Sequence, residues 1–255
     1  IIRVRRIFKK INMLKKWKKY DSILIYKWFK EEINLKILFI GNSKTYRQNF
    51  PGIFKRMVEA SDKEIYIDKA TKPGASLTEL YEEDETLEKI KSEKWDYAVI
   101  QERTIKSLQE DITEFQEGAN NICAKIFENN PKTKIIYNAV GVHCDFNLEE
   151  YEITNKHYDQ IAKTTNGIVC YSGNAFIKFH SQFPNIELYE DKQHPTLVGA
   201  YLSACCLYDT IYKQPSCHVQ YYDVLNPKIA IDLQKVADET ILNQRREDNR
   251  SELEL

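Results

Sequence analysis

The chain has 255 residues, 42% hydrophobic and 29% charged, with a net charge of −1. That length can bury a sizeable core, and no apolar stretch is long enough to span a membrane, which excludes a bundle of transmembrane helices. The charge is uneven: residues 1–35 hold eleven Lys or Arg and three Asp or Glu, about +8, leaving about −9 for the rest, the pattern of an appended basic arm rather than a basic domain.

In residues 1–33, Ile7, Phe8, Ile11, Leu14 and Trp17 recur at helical spacing among lysines, which predicts an amphipathic helical arm. Such an arm suits a membrane surface or a partner protein, or a helix packed on its own domain with a solvated face. No readout motif accompanies its charge, so no nucleic-acid partner is expected. From residue 34 onward, strands alternate with helices. The apolar run at 35–40 does not alternate and predicts a strand buried on both faces. A helix at 51–61, a strand at 64–67, a helix at 77–92 and a strand at 97–100 follow. Next come a helix at 112–129, a strand at 134–140, a helix at 149–164 and a strand at 168–171. Helices at 197–212 and 227–243 complete the pattern, and 246–255 is a charged tail. The alternation implies one domain over 34–245, built on a five-stranded parallel sheet with helices on both faces. In such sheets ligands bind beyond the carboxyl ends of the strands.

The six cysteines, Cys123, Cys144, Cys170, Cys205, Cys206 and Cys217, have no Cys-x-x-Cys spacing. No secretory leader is visible, since the apolar piece at 22–26 is short and followed by Lys27. Reduced thiols and a cytoplasmic location are therefore expected. Cys170, Cys205 and Cys206 are read as core packing.

Two segments far apart carry the chemistry. Lys36-Ile-Leu-Phe-Ile-Gly-Asn-Ser43 is an apolar strand ending in a turn with a serine, and Asp191-Lys-Gln-His-Pro195 holds a carboxylate and an imidazole three residues apart. A serine becomes a nucleophile when a base takes its proton and an acid orients the base. Ser43, His194 and Asp191 supply these parts and point to acyl transfer to water, with the Ser43 backbone N–H able to face the oxyanion. Taken singly, each has a plainer reading: Ser43 as a helix cap, and Asp191 as a capping aspartate in a surface loop.

Ile-Leu-Phe-Ile-Gly-Asn-Ser-Lys-Thr-Tyr, ending at Tyr46, resembles the first block of the SGNH (GDSL-type) hydrolase superfamily. Asp191-x-x-His194-Pro195 with Gly199-Ala200-Tyr201 resembles its last block. Gly74-Ala-Ser-Leu77 is similar to the glycine block, and Trp95-Asp-Tyr-Ala-Val-Ile-Gln-Glu102 to the third. The resemblance covers about residues 35–212. It implies a flavodoxin-like three-layer α/β/α sandwich and hydrolysis of a small ester, often an acetyl group on a carbohydrate, with no metal or cofactor. By position, Ser43 is the nucleophile, His194 the base and Asp191 its orienter, while Ser43 and Gly74 give backbone N–H groups to the oxyanion hole. Two departures stand out. Asn42 replaces the usual aspartate before the serine, and the usual oxyanion asparagine is missing from the third block. Gln101 stands near that place and is the expected third donor.

Two variants stay open: an O-acetyltransferase using the same three residues, and a non-catalytic module binding a partner, or a phosphate or flavin through Ser43, Lys44 and Thr45. His143 and Asp145 follow the fourth strand and are read as loop residues at the mouth of the site. With Cys144 they suggest a metal, but three adjacent residues do not easily converge on one ion. His157 is expected to face solvent. The oligomeric state is left open.

Overall fold

The run Leu-Lys-Ile-Leu-Phe-Ile-Gly forms strand β1 (Leu35–Gly41), buried from Ile37 to its end. A computed structural model describes residues 35–140 and 143–253, with side chains to residue 242. In it β1 belongs to an all-parallel sheet of order β2-β1-β3-β4-β5. The other strands are β2 (Ile65–Thr71), β3 (Tyr97–Ile100), β4 (Lys134–Asn138) and β5 (Ile168–Cys170). The five-stranded parallel sheet expected from the sequence is the one formed. The predicted arm at 1–33 lies outside the described residues.

Helices α1 (Ser43–Tyr46) and α2 (Phe50–Ala60) connect β1 to β2, and α3 (Leu77–Tyr81) and α4 (Asp84–Ser92) lead to β3. Helices α5 (Thr104–Leu108) and α6 (Thr113–Asn129) precede β4, and α7 (Leu148–Thr165) precedes β5. Helices α8 (Ser172–Gln182), α9 (Leu197–Tyr212) and α10 (Pro227–Leu253) close the order. Successive side chains of a strand point to opposite faces, and the core divides accordingly. Ile37, Phe39, Val99 and Ile136 pack under α2, α8, α9 and α10. Leu38, Ile40, Ala98, Ile100 and Tyr137 pack under α3, α4, α6 and α7. Each fully buried Leu, Ile or Phe contributes about 1.5–3 kcal/mol. The result is a three-layer α/β/α sandwich.

The structure differs from the sequence reading in particular places. The helix predicted at 77–92 is two helices that break at Glu82 and Glu83, and α4 then starts on Asp84 and Glu85, where carboxylates favour a helix N-terminus. β2 runs on to Thr71 because an edge strand tolerates Asp68 and Lys69. The sequence pattern predicts neither α5 nor α8. Helix α8 begins with Ser172, Gly173 and Asn174, turn formers by composition, yet buries Ala175, Phe176 and Phe179 at helical spacing. α10 continues through Leu253, past residue 243 and into the segment set aside as a tail. His157 is buried rather than solvated: α5 packs against α7, and His157 Nδ1 lies 2.9 Å from the Ser107 carbonyl oxygen.

Cys123, Cys170, Cys205 and Cys206 are buried free thiols, as core packing requires. Burial pushes the Cys170 thiol up to about 12 and the Cys123 thiol up to about 11, which keeps both unreactive. Among the described residues, no helix is long and apolar enough to cross a membrane.

Candidate active site

The nucleophile turn depends on close packing at the end of β1. A Cβ on Gly41 would lie 2.3 Å from Thr45 Oγ1, so only glycine lets the chain turn back this tightly. Asn42 caps the turn: its Oδ1 accepts from the Lys44 N–H at 3.2 Å, and its Nδ2 donates to the Ala75 carbonyl at 3.1 Å. Ser43 is thereby the half-buried first residue of α1, at the carboxyl edge of the sheet.

The loop before α9 supplies the imidazole and the carboxylate. It is pinched shut by an antiparallel bridge between Tyr189 and Pro195, and the Glu190 N–H donates to the His194 carbonyl at 2.9 Å. Within it, Asp191 Oδ1 accepts the N–H groups of Gln193 at 2.9 Å and His194 at 2.8 Å. These two backbone bonds, and then the imidazole beside it, hold the Asp191 carboxyl well below the usual carboxylate range. Asp191 Oδ2 lies 2.7 Å from His194 Nδ1, and His194 Nε2 lies 2.9 Å from Ser43 Oγ. With Nδ1–H given to Asp191, Nε2 is left to accept the Ser43 hydroxyl proton. Residues just after α1 brace this loop. Arg47 Nη1 is 2.5 Å from Glu190 Oε1 and 3.6 Å from Asp191 Oδ2, and Gln48 Nε2 donates to Glu190 Oε2 at 2.7 Å. Ser43, His194 and Asp191 are thus brought into one hydrogen-bonded chain.

Gly74 joins them from the loop after β2. Pro73 and Gly74 occupy the centre of a turn closed by the Ala75 N–H on the Lys72 carbonyl at 3.3 Å, and Gly74 has φ +66°. Proline followed by a residue at positive φ is the signature of a type II turn, which favours glycine there. Gly74 lines the same cavity as Ser43 and His194. Gln101 is placed differently. It is buried beneath the nucleophile turn, where its Oε1 accepts from Thr45 Oγ1 at 2.9 Å and from the Asn42 N–H at 3.4 Å. Its Nε2 donates to the Glu102 carbonyl. Both ends of the amide are engaged inside the protein, so Gln101 braces the turn and does not line the cavity. Thr45 is held inward by the same contact, so it does not face out as a phosphate clamp would.

The cavity has a volume of about 310 Å³, within the range of small-molecule sites. Two groups with shifted protonation belong to this region, Lys44 in the cavity lining and Glu102 next to the lining residue Arg103 in sequence. Burial draws the Lys44 ammonium down to about 7, against the opposing pull of Asp191 and Glu150. Burial pushes the Glu102 carboxyl up to about 7, although it accepts the N–H groups of Arg103 and Leu77. Arg103 Nη1 donates to the Gly74 carbonyl at 3.0 Å and so steadies the glycine turn. His143 lines the cavity with its Nδ1 2.7 Å from Glu150 Oε2. The third partner gathered beside His143 and Asp145 is Glu150 rather than Cys144, with ligand atoms within 4.8 Å of one another. Sequence reasoning passed over Arg103, Glu102 and Glu150. The first two follow the end of β3, the position that the strand-end rule favours.

No family model matches the sequence, and no curated protein matches it. Solved structures do. The fold is similar to that of a DUF4886 family protein from Bacteroides uniformis, at 17% identity and a TM-score of 0.70, over 82% of this chain and 95% of that one. It is also similar to the lipase/acylhydrolase from Enterococcus faecalis, at 19% identity and a TM-score of 0.52, over 70% of this chain and 96% of that one. A catalytic mutant of Axe2, an acetylxylan esterase from Geobacillus stearothermophilus, matches at 17% identity and a TM-score of 0.52, over 69% of this chain and 94% of that one. The chain has the fold of an SGNH-type hydrolase.

Proposed function

We propose that the protein is a serine ester hydrolase in which Ser43 attacks the ester carbonyl while His194 Nε2 takes its proton. Asp191 holds the imidazole in the tautomer that can accept, and stabilises it once it is charged. The backbone N–H groups of Ser43 and Gly74 receive the developing oxyanion, a kind of contact worth about 3–4 kcal/mol per donor in the transition state. Gln101 holds the turn that aims the Ser43 N–H, and Arg103 holds the turn that aims the Gly74 N–H. His194 then returns the proton to the leaving alcohol and activates the water that clears the acyl group. The observation that carries this reading is the unbroken chain from Ser43 Oγ through His194 to Asp191, with steps of 2.9 and 2.7 Å.

The substrate proposed is a small ester, with an acetyl group on a carbohydrate as the first candidate; an acetylxylan esterase sharing the fold supports that choice. The test is hydrolysis of 4-nitrophenyl acetate by the wild type and by Ser43→Ala, with folding of both followed by circular dichroism. Turnover lost in a folded variant is the expected result. Equal rates in both, or no turnover of any ester tried, would sink the proposal.

A further inference from the structure

Lysine, arginine and histidine side chains line the candidate active-site cavity. They include Lys44, Arg103 and His143, and none of its described lining residues is Asp or Glu. Neighbouring carboxylates attach to two of these side chains away from the lining: Glu79 Oε2 stands 3.6 Å from Arg103 Nη1, and Glu150 Oε2 stands 2.7 Å from His143 Nδ1. Arg103 is only partly matched. Its Nη1 donates to the Gly74 carbonyl, while its Nε is buried with no hydrogen-bond partner among the described residues. A guanidinium carries five N–H donors and loses stability when they are desolvated without acceptors. Glu150 holds the His143 ring by Nδ1, which leaves Nε2 as the imidazole's remaining polar atom. Ile105 and Leu108 of α5 add an apolar part to the lining.

We infer that the ester accepted by this site carries a carboxylate, bound by Arg103, elsewhere in the molecule from the reacting bond. The inference relies on the ester-hydrolase reading for the reacting group and on the charge of Arg103 for the rest. A guanidinium matches a carboxylate with two parallel hydrogen bonds, and charge-assisted bonds of this kind are roughly twice as strong as neutral ones. A neutral ester would cover the Arg103 guanidinium, which Glu79 meets only at 3.6 Å, without answering its charge, whereas an anionic one answers it.

Two matched pairs of esters test the idea and locate the charge. 4-Acetoxybenzoate against its methyl ester places the carboxylate on the alcohol side, and 4-nitrophenyl adipate against 4-nitrophenyl hexanoate places it on the acyl side. Each kcat/KM is divided by the rate of spontaneous alkaline hydrolysis, which removes intrinsic reactivity. In one pair the carboxylate member is expected to be preferred by about tenfold or more, with the preference shrinking as salt is added. Arg103→Gln should bring that ratio toward one. If Arg103 only holds the Gly74 turn, the variant lowers both members equally and the ratio stays, which overturns the inference. Ratios near one in both pairs for the wild type overturn it as well. If no ester turns over, the hydrolase reading fails by itself. The carboxylate is then judged by calorimetric titration of the Ser43→Ala protein with 4-acetoxybenzoate and with its methyl ester. Tighter binding of the acid keeps the inference, and equal binding removes it.

Discussion

At the scale of single residues, the properties of His194 follow from what surrounds Asp191. Asp191 sits near the surface and accepts two backbone N–H groups from its own loop, so its carboxylate is fixed in place and stays ionised. An asparagine there keeps the carbonyl oxygen for Gln193 and His194 but turns an NH2 toward His194 Nδ1. The imidazole then takes the other tautomer, with the proton on Nε2, where it can no longer accept from Ser43. Asp191→Asn is therefore expected to lower kcat for 4-nitrophenyl acetate by about a hundredfold or more while the protein stays folded. A loss under about threefold would show that the carboxylate does not govern the tautomer. The three residues of this chain were legible in the sequence because each occupies a turn with a chemical signature. Gln101 was read from its place at the end of the third strand and from its amide group. Whether that amide faces the cavity or the turn depends on Thr45 and Asn42, whose side-chain and backbone directions no spacing rule conveys.

At the scale of elements, Glu102 ties three pieces of the site together. Its carboxylate accepts the Leu77 N–H at the start of α3 and the Arg103 N–H before α5, while its own N–H donates to Tyr158 Oη on α7 at 3.0 Å. Because burial raises its protonation point from 4.5 to about 7, the folded protein holds this proton more tightly than the unfolded chain does. Stability from this group is then fully present below 4.5 and is lost as pH rises through about 7. Glu102→Gln keeps an acceptor oxygen and removes the titration. The gap in melting temperature between variant and wild type should move in the variant's favour from about pH 5 to about pH 8, by the equivalent of about 2 kcal/mol. A gap that does not change with pH would contradict the assignment. The parallel sheet was readable from short unalternating apolar runs such as Ile37–Ile40 set between helical segments, the pattern of a strand covered on both faces. Helix α8 was not readable, since Ser172, Gly173 and Asn174 carry a turn-like composition that packing of Phe176 and Phe179 overrides.

At the scale of the whole molecule, the C-terminal helices are joined by a pair of acids. Asp209 of α9 and Asp238 of α10 both accept the Ser216 N–H at 2.7 Å. Burial and then the nearby Asp238 push the Asp209 carboxyl well above its ordinary value. The sign is the same as for Glu102: stability is held while Asp209 carries its proton and falls as pH rises. Asn at 209 keeps an oxygen for Ser216 and offers an NH2 to Asp238. Asp209→Asn should accordingly raise stability near neutral pH by about 1 kcal/mol, measured by urea denaturation, and should matter little in acid. A destabilised variant at neutral pH would show that Asp209 is ionised in the native protein.

Ser43 and His194 lie 151 residues apart in the chain and meet at 2.9 Å. A contact of that sequence separation carries a large loop-closure cost and holds only once the intervening chain is in place. The serine is therefore chemically idle in a nascent, unfolded or half-assembled chain, which holds the hydroxyl but not the base beside it. Arg47 and Gln48, which reach across to Glu190, make the same point from the other direction: the two halves of the site grip each other or neither is in place. In the proposed mechanism, reactivity is thus a certificate of completed folding, issued only when the first strand and the loop before α9 have found one another.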